Sequence, residues 1–440
     1  MSKNPFKEIS GSIVAPRGFI AGGVFCDIKR LGTGKGSSKG RKRDLALIVS
    51  EVPAAVAGMF TTNQICAAPV KVCVGRVKKG AAQAVVVNSG NANACTGRQG
   101  LKDAREMTHL AERALNLRTG LALVGSTGRI GVTLPMANVK RGIFEAAKHL
   151  GHSTKHAAQA AEAIMTSDTR SKQIAVEFKL GGKTVRIGGI CKGAGMIQPG
   201  MSATGARPAA LHATMLCFIT TDAAIEAKVL QAALREAVAQ SFNRITVDGD
   251  MSTNDTVLVL ANGLAENRKI GNRKSEIGNF QAALNHVCLE LAKMIVRDGE
   301  GVHRVVTVRV NGAKSVADAD AAARAVANSP LVKTSWHGGD PNWGRIIDAL
   351  GYSSAKVVEE KVDIGYSKPG SKKISWSLKR GQPARIPFEK LCRAVAPQEF
   401  DLHINLNLGK AGAVIYAADL TEAYVDFNKG DVADPISLGG

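Results

Sequence analysis

The chain has 440 residues, 45% hydrophobic and 22% charged, with 47 glycines and 14 prolines. That composition fits two or three soluble globular units and excludes a disordered or collagen-like chain. Lys and Arg outnumber Asp and Glu by 58 to 37. The surplus invites an anionic partner, and seven of the basic residues fall between Lys29 and Arg43 among Gly and Ser. This stretch reads as a solvated loop, too glycine-rich for a recognition helix. With 4% aromatic residues there is no obvious base-stacking platform, so nucleic acid is a secondary reading resting on charge alone. No apolar run approaches the ~20 residues of a membrane span, and the N-terminal residues lack the apolar core of a secretory signal. The eight cysteines include no CxxC pair and read as reduced, mostly core thiols, with no structural zinc site expected on them.

In chain order, 44–63 and 84–90 combine apolar β-rich runs with turn residues and predict buried strands. Leu101, Ala104, Met107, Ala111 and Ala114 follow helical spacing across 101–117. Ile174, Val176, Phe178 and Leu180 alternate with polar positions before Gly181-Gly182, and Val185 and Ile187 resume the alternation, which predicts a hairpin. Leu216–Thr220 predicts a strand. Asp222 is the expected cap of an amphipathic helix through Ile225, Val229, Ala233 and Ala237. The stretch 241–262 reads as strand-rich. Phe280, Leu284, Val287, Cys288, Leu291 and Ile295 form a helical stripe ending near Asp298-Gly299, and Val306, Val308 and Val310 alternate as a strand. The mixture predicts an α+β protein, a layered α/β sandwich. Neither a dinucleotide fingerprint nor a P-loop is present, and there is no HExxH or EF-hand pattern.

The segment 191–223, CKGAGMIQPGMSATGARPAALHATMLCFITTDA, is rich in Gly, Ala, Met and small hydroxyl residues. Its residue types leave two readings, a tight connection between strands or a reactive loop.

Set in order along the chain are APRGFIAGGV (15–24), DLALIVSEVPA (44–54), FTTN (60–63), VVVNSGNANACTG (85–97), GSTGRIG (125–131), KGAGMIQP (192–199), ATMLCFITTDA (213–223), SFNRITVDGDMSTNDT (241–256), RDGEG (297–301), DPNWGR (340–345) and DLTEAYVDFN (419–428). Through these segments the sequence resembles the ornithine acetyltransferase (glutamate N-acetyltransferase) family of arginine biosynthesis, over almost its whole length. The resemblance implies self-cleavage between Ala213 and Thr214. The products would be an α chain, 1–213, and a β chain, 214–440, folding as one catalytic unit in a heterotetramer of two α and two β chains. Thr214 would be the nucleophile, its freed α-amine the base, since that amine has an unperturbed pKa near ~7.7–8.0 and needs no histidine. The matching positions Thr127 and Gly128 would supply the oxyanion hole. Thr166, Lys192, Glu300 and Asn428 would line the amino-acid pocket with Thr214. A lysine ammonium suits a substrate carboxylate, and the Glu300 carboxylate suits the ornithine side-chain cation. His212 and His303 flank motif residues and are bystanders on this reading.

The implied reaction moves acetyl from N2-acetyl-L-ornithine to L-glutamate by ping-pong through acetyl-Thr214, in the cytoplasm, without metal or cofactor. Whether acetyl-CoA also serves as a co-substrate is decided by no residue here. The alternative is a self-cleaving aminopeptidase or amidase of the same scaffold with water as acceptor. Two departures stand out. Ser202–His212 adds eleven residues before the Ala-Thr pair and includes a second one, Ala203-Thr204. Near the C-terminus, Ala433 stands where the family usually has Ser or Thr, with Ser437 as the other candidate.

Overall fold

The computed structural model describes residues 6–29, 42–204, 215–271 and 274–429. They fall into two compact units. The first takes the described residues up to Asn243 together with Asp250–Ile295, and the second takes Arg244–Gly249 and Val296–Lys429. The expected chain division after Ala213, like the stretch 205–214 containing His212, Ala213 and Thr214, lies outside the described residues, as do Ala433 and Ser437.

In the first unit the strands are β1 (Phe6–Glu8), β2 (Phe19–Val24), β3 (Leu45–Thr61), β4 (Ala81–Asn91), β5 (Ala122–Arg129), β6 (Lys172–Leu180), β7 (Lys183–Lys192), β8 (Met201–Ser202) and β9 (Leu216–Thr221). After β10 (Ile245–Thr246), which belongs to the second unit, β11 (Thr256–Ala261) completes the first. The strands form a ten-stranded mixed sheet ordered β1-β6-β7-β9-β11-β3-β4-β5, with β2 and β8 also pairing with β3. Helices α1 (Ala68–Val77), α2 (Gly97–Ala114), α3 (Met136–Lys148), α4 (Thr154–Ala163) and α5 (Ala227–Gln240) pack on it. Val85, Val86 and Val87 of β4 are fully buried in sequence, as a strand covered on both faces requires. The layered α+β expectation holds.

The hairpin is β6–β7, closing Leu180 against Lys183. Gly181 and Gly182 have φ of +55° and +80°, the left-handed pair that a two-residue turn matched to strand twist demands. β3 runs unbroken through Pro53 because its register with β4 shifts between Val49 and Ala54, where no amide donor is needed. Helix α6 (Lys274–Arg297) buries the whole stripe from Phe280 to Ile295, and the Cys191 thiol of β7 lies 3.5 Å from the carbonyl of Leu291.

Three expectations are corrected. Asp222 does not cap α5, which starts at Ala227 behind Glu226; instead its buried carboxylate accepts the amides of Arg17 at 3.1 Å and Arg186 at 2.8 Å. A carboxylate five residues before the first helical turn is too far away to reach that turn's amides. The stretch 241–262 is strand only at β10 and β11, and the loop between them is held by side chains. The basic stretch is also anchored at its flanks rather than solvated throughout. Lys29 is buried and donates to the Arg43 carbonyl at 2.7 Å, and Arg43 pairs with Glu162 at 2.7 Å; residues 30–41 lie outside the described residues.

The second unit adds β12 (Val305–Ala313), α7 (Val316–Asn328), α8 (Pro330–His337), α9 (Trp343–Gly351), β13 (Asp363–Ser367), β14 (Ser375–Lys379), β15 (Gln382–Pro383), α10 (Phe388–Val395), β16 (Glu399–Asn405), β17 (Ala411–Ala418) and α11 (Glu422–Asn428). Its seven strands are ordered β10-β17-β12-β16-β13-β14-β15. Val306, Val308 and Val310 of β12 face the core, and the alanines of α7 allow that helix to lie close against β12 and β17. All eight cysteines are free thiols, five of them buried. Among the described residues no helix is long and apolar enough to cross a membrane.

Candidate active site

Three groups of residues in the first unit hold or adjoin positions that the sequence singled out. The first is the end of β5. β4 and β5 pair in parallel up to Ser89–Thr127 and Gly90–Gly128, where the register slips at Asn91. Asn88 and Asn91 brace the slip. Asn88 Nδ2 donates to the Asn91 carbonyl at 2.8 Å, and Asn91 Nδ2 donates to the carbonyls of Val132 at 3.0 Å and Thr133 at 3.2 Å. Thr127 is buried. Gly128 has φ +128°, and a Cβ there would fall 2.3 Å from Gly90 C and 2.5 Å from Asn91 N, so only glycine fits. Gly90 in turn lies against the backbone of Lys29.

The second group leads to the residue after the expected cut. Met215 donates its amide to the buried carboxylate of Asp255, and its carbonyl accepts the amide of Thr256 at 3.0 Å. The adjacent Asn254 donates through Nδ2 to the carbonyls of Ala92 at 2.7 Å and Ser126 at 2.8 Å. The segment 254–256 therefore ties the approach to β9 to the residue before Thr127.

The third group centres on Asp168. It accepts the Lys172 ammonium at 2.6 Å, the Gly193 amide at 2.7 Å and the Thr166 amide at 3.0 Å. Burial alone would raise this carboxyl. The Lys192 and Lys172 charges and the Gly193 amide outweigh it and hold the group well below the usual carboxylate range. Thr166 is half-buried and Lys192, at the end of β7, is buried. The structure thus joins Thr166 and Lys192 through a residue to which the sequence reading gave no role.

In the second unit, Asn428 donates to Glu300 Oε2 at 3.0 Å, bringing together the two acidic-loop and C-terminal-helix residues the sequence singled out. Gly301 must be glycine, because a Cβ would come within 2.3 Å of the Tyr424 amide nitrogen. Thr421 clasps the same loop, its hydroxyl donating to the Gly301 carbonyl at 2.7 Å. The sequence reading missed Asp168, Asn254 and Asp255 as positioning residues. The available signal was that they sit inside MTSD and STNDT, polar runs beside strands.

A family model described as the ArgJ family matches residues 29–430. The chain belongs to the ArgJ family. It is an acyltransferase of arginine biosynthesis, and the hydrolase alternative is not favoured. The chain is 47% identical to the arginine biosynthesis bifunctional protein ArgJ of Symbiobacterium thermophilum, an alignment spanning 96% of this chain and 98% of that protein. It is 44% identical to the glutamate N-acetyltransferase of Methanocaldococcus jannaschii, again over 96% and 98%. Among solved structures it is similar to the ornithine acetyltransferase of Mycobacterium tuberculosis complexed with ornithine, 34% identical, TM-score 0.40, covering 45% of this chain and 100% of that one.

Proposed function

We propose that the chain is a glutamate N-acetyltransferase that cuts itself between Ala213 and Thr214 and then works through an acetyl-Thr214 ester. The Thr214 hydroxyl attacks the Ala213 carbonyl, the peptide shifts to an ester, and water hydrolyses that ester to free the Thr214 α-amine. In turnover this amine takes the hydroxyl proton while the oxygen attacks the acetyl carbonyl of N2-acetyl-L-ornithine. The oxyanion is held by the Thr127 and Gly128 region, and the proton passes to the departing ornithine nitrogen. L-Glutamate then attacks the ester through its own amine and leaves as N-acetylglutamate. Lys192 faces a substrate carboxylate, with Thr166 beside it, and Glu300 with Asn428 receives the ornithine side-chain cation.

The observation that supports this reading is the double tie made by residues 254–256, which hold Met215 through Asp255 and Ser126 through Asn254. A nucleophile at 214 stands one residue from an atom fixed by that segment, and donors at 127 and 128 stand one and two residues from another. Expected with this reading are a cytoplasmic enzyme, a heterotetramer of two α and two β chains, and a cycle that requires no cofactor because the nucleophile brings its own base. Supplying acetyl-CoA and glutamate without acetylornithine decides whether that thioester also acylates Thr214.

Intact mass spectrometry of the purified protein tests the cut: two species beginning at 1 and 214 are expected, and a single active 46.1 kDa chain defeats the reading. With acetylornithine alone, one ornithine per active site should appear in a burst together with an acetylated Thr214. Release of free acetate at the same rate with and without glutamate would assign the hydrolase instead.

A further inference from the structure

Beside the Glu300 loop, His303, His337 and Asp419 bring three ligand atoms within 4.8 Å of one another. They come from separate places: the loop before β12, the last residue of α8, and the residue after β17. The arrangement is held by backbone. Asp419 Oδ1 accepts the His303 amide at 3.0 Å, the Asp419 amide donates to the Arg304 carbonyl at 3.0 Å, and the Arg304 guanidinium donates to the carbonyls of Trp336 and His337.

The remaining oxygen, Asp419 Oδ2, belongs to a side chain that is fully buried and has no hydrogen-bond partner among the described residues. It lies 3.5 Å from His337 Nδ1, which is also buried and without a hydrogen bond. On the other side of that ring, Nε2 sits 2.9 Å from Glu422 Oε2. A carboxylate there accepts from Nε2–H, and in the neutral ring that leaves the Nδ1 lone pair facing the Asp419 oxygen. Two lone pairs opposed in a buried position cost free energy unless a cation lies between them. The His303 ring meets the His337 ring edge-on, with centroids 5.5 Å apart, and supplies a third nitrogen to the same space.

We propose that His303, His337 and Asp419 form a site for a divalent transition-metal cation of the zinc class. Two imidazoles and a carboxylate are a ligand set such ions take, at bond lengths of about 2.0–2.2 Å that put neighbouring ligand atoms about 3.3 Å apart. The Asp419–His337 pair is already near that spacing. His303 is exposed, and turning its ring closes the remaining gap. Glu422 orients His337 from outside, as an outer carboxylate does for a ligating histidine. The ion's effect is local. His303 follows Glu300 by three residues, and Asp419 and Glu422 bracket Thr421, which already holds Gly301. The cation pins the Glu300 loop to the start of α11, whose far end carries Asn428, and it takes no part in the acyl-transfer steps.

The test uses full-length, untagged protein stripped with a chelator and titrated with zinc ion alone by calorimetry. One saturable equivalent per chain, binding at micromolar concentration or tighter, is expected. His303→Ala and Asp419→Asn should each weaken it at least tenfold, whereas Cys95→Ser and Cys392→Ser should leave it unchanged. Cobalt loaded in place of zinc should give a spectrum without thiolate charge transfer. Absence of saturable binding, or binding that survives both ligand substitutions, overturns the proposal. The readout is metal binding, so failure here leaves the acyl-transfer reading standing, and failure of that reading leaves this one.

Discussion

Asp255 accepts the backbone amide of Met215, and through this bond the residue following the proposed nucleophile is fixed to β11, the neighbour of β9. The bond is buried, so its loss is not made good by water. Asp255→Ala should strand the Met215 amide, lower stability by about 1–3 kcal/mol and slow self-cleavage. Asp255→Asn keeps an acceptor and should cleave nearer the wild-type rate. Gel densitometry of cleaved against intact chain over time separates the two; equal rates for the two variants would show that the tie does not position the cut.

Gly128→Ala tests the end of β5. The added Cβ meets the Gly90–Asn91 backbone rather than a movable side chain, at a φ that L-residues rarely adopt. A stability loss of about 2 kcal/mol or more is expected, together with a fall in kcat of about 10²–10³ as the proposed oxyanion donors move. Ser126→Ala, two residues away with its backbone carbonyl unchanged, should leave kcat within a few-fold. A Gly128→Ala enzyme with normal kcat would remove this turn from the mechanism.

The charge cluster around Asp168 predicts an acid limb in stability. Its folded carboxyl titrates lower than the ordinary value of about 3.9, so near and just below that pH the unfolded chain binds more protons than the folded one. The stabilisation is therefore present at neutral pH and is lost as pH falls from about 5 through the carboxylate range. Asp168→Asn leaves the buried Lys172 ammonium without that counterion, which should cost about 3 kcal/mol or more at pH 7 and flatten the acid dependence. Urea midpoints at pH 7 and pH 4 for both proteins decide it, and parallel losses would contradict the assignment.

Glu300→Gln should behave differently, because this side chain is half-exposed and its partner Asn428 is exposed. Removing the charge should change the unfolding midpoint little while raising KM for acetylornithine tenfold or more, with KM for glutamate less affected. An unchanged KM for acetylornithine would take the Glu300–Asn428 pair out of the binding site.

Legibility followed the range of the interactions. The β6–β7 hairpin and the α6 stripe were readable because alternation, a two-glycine turn and a helical repeat are properties of neighbouring residues. The extent of β3 was less so, since Pro53 looks like an end until the register slip shows that its missing donor is harmless. Asp222 misled because an acidic residue ahead of an amphipathic run is an ordinary cap signal, and only the folded chain brings the amides of Arg17 and Arg186 to it. The family motifs marked Thr127, Gly128, Thr166, Lys192, Glu300 and Asn428, but not what holds them. Asn254 reaches Ala92 and Ser126 across 162 and 128 positions, and no local pattern encodes a span of that kind.

β9 lies between β7 and β11, hydrogen-bonded on both edges, a few residues beyond Ala213. A break in the backbone ahead of it therefore sets neither fragment adrift, because the downstream piece is stitched into the middle of a sheet whose other strands belong largely to the upstream one. The nicked enzyme that the proposed cut gives should purify as one particle. Once denatured, however, it must regain its shape by encounter of two polypeptides, so its refolding yield should depend on protein concentration as that of an uncut Thr214→Ala chain does not.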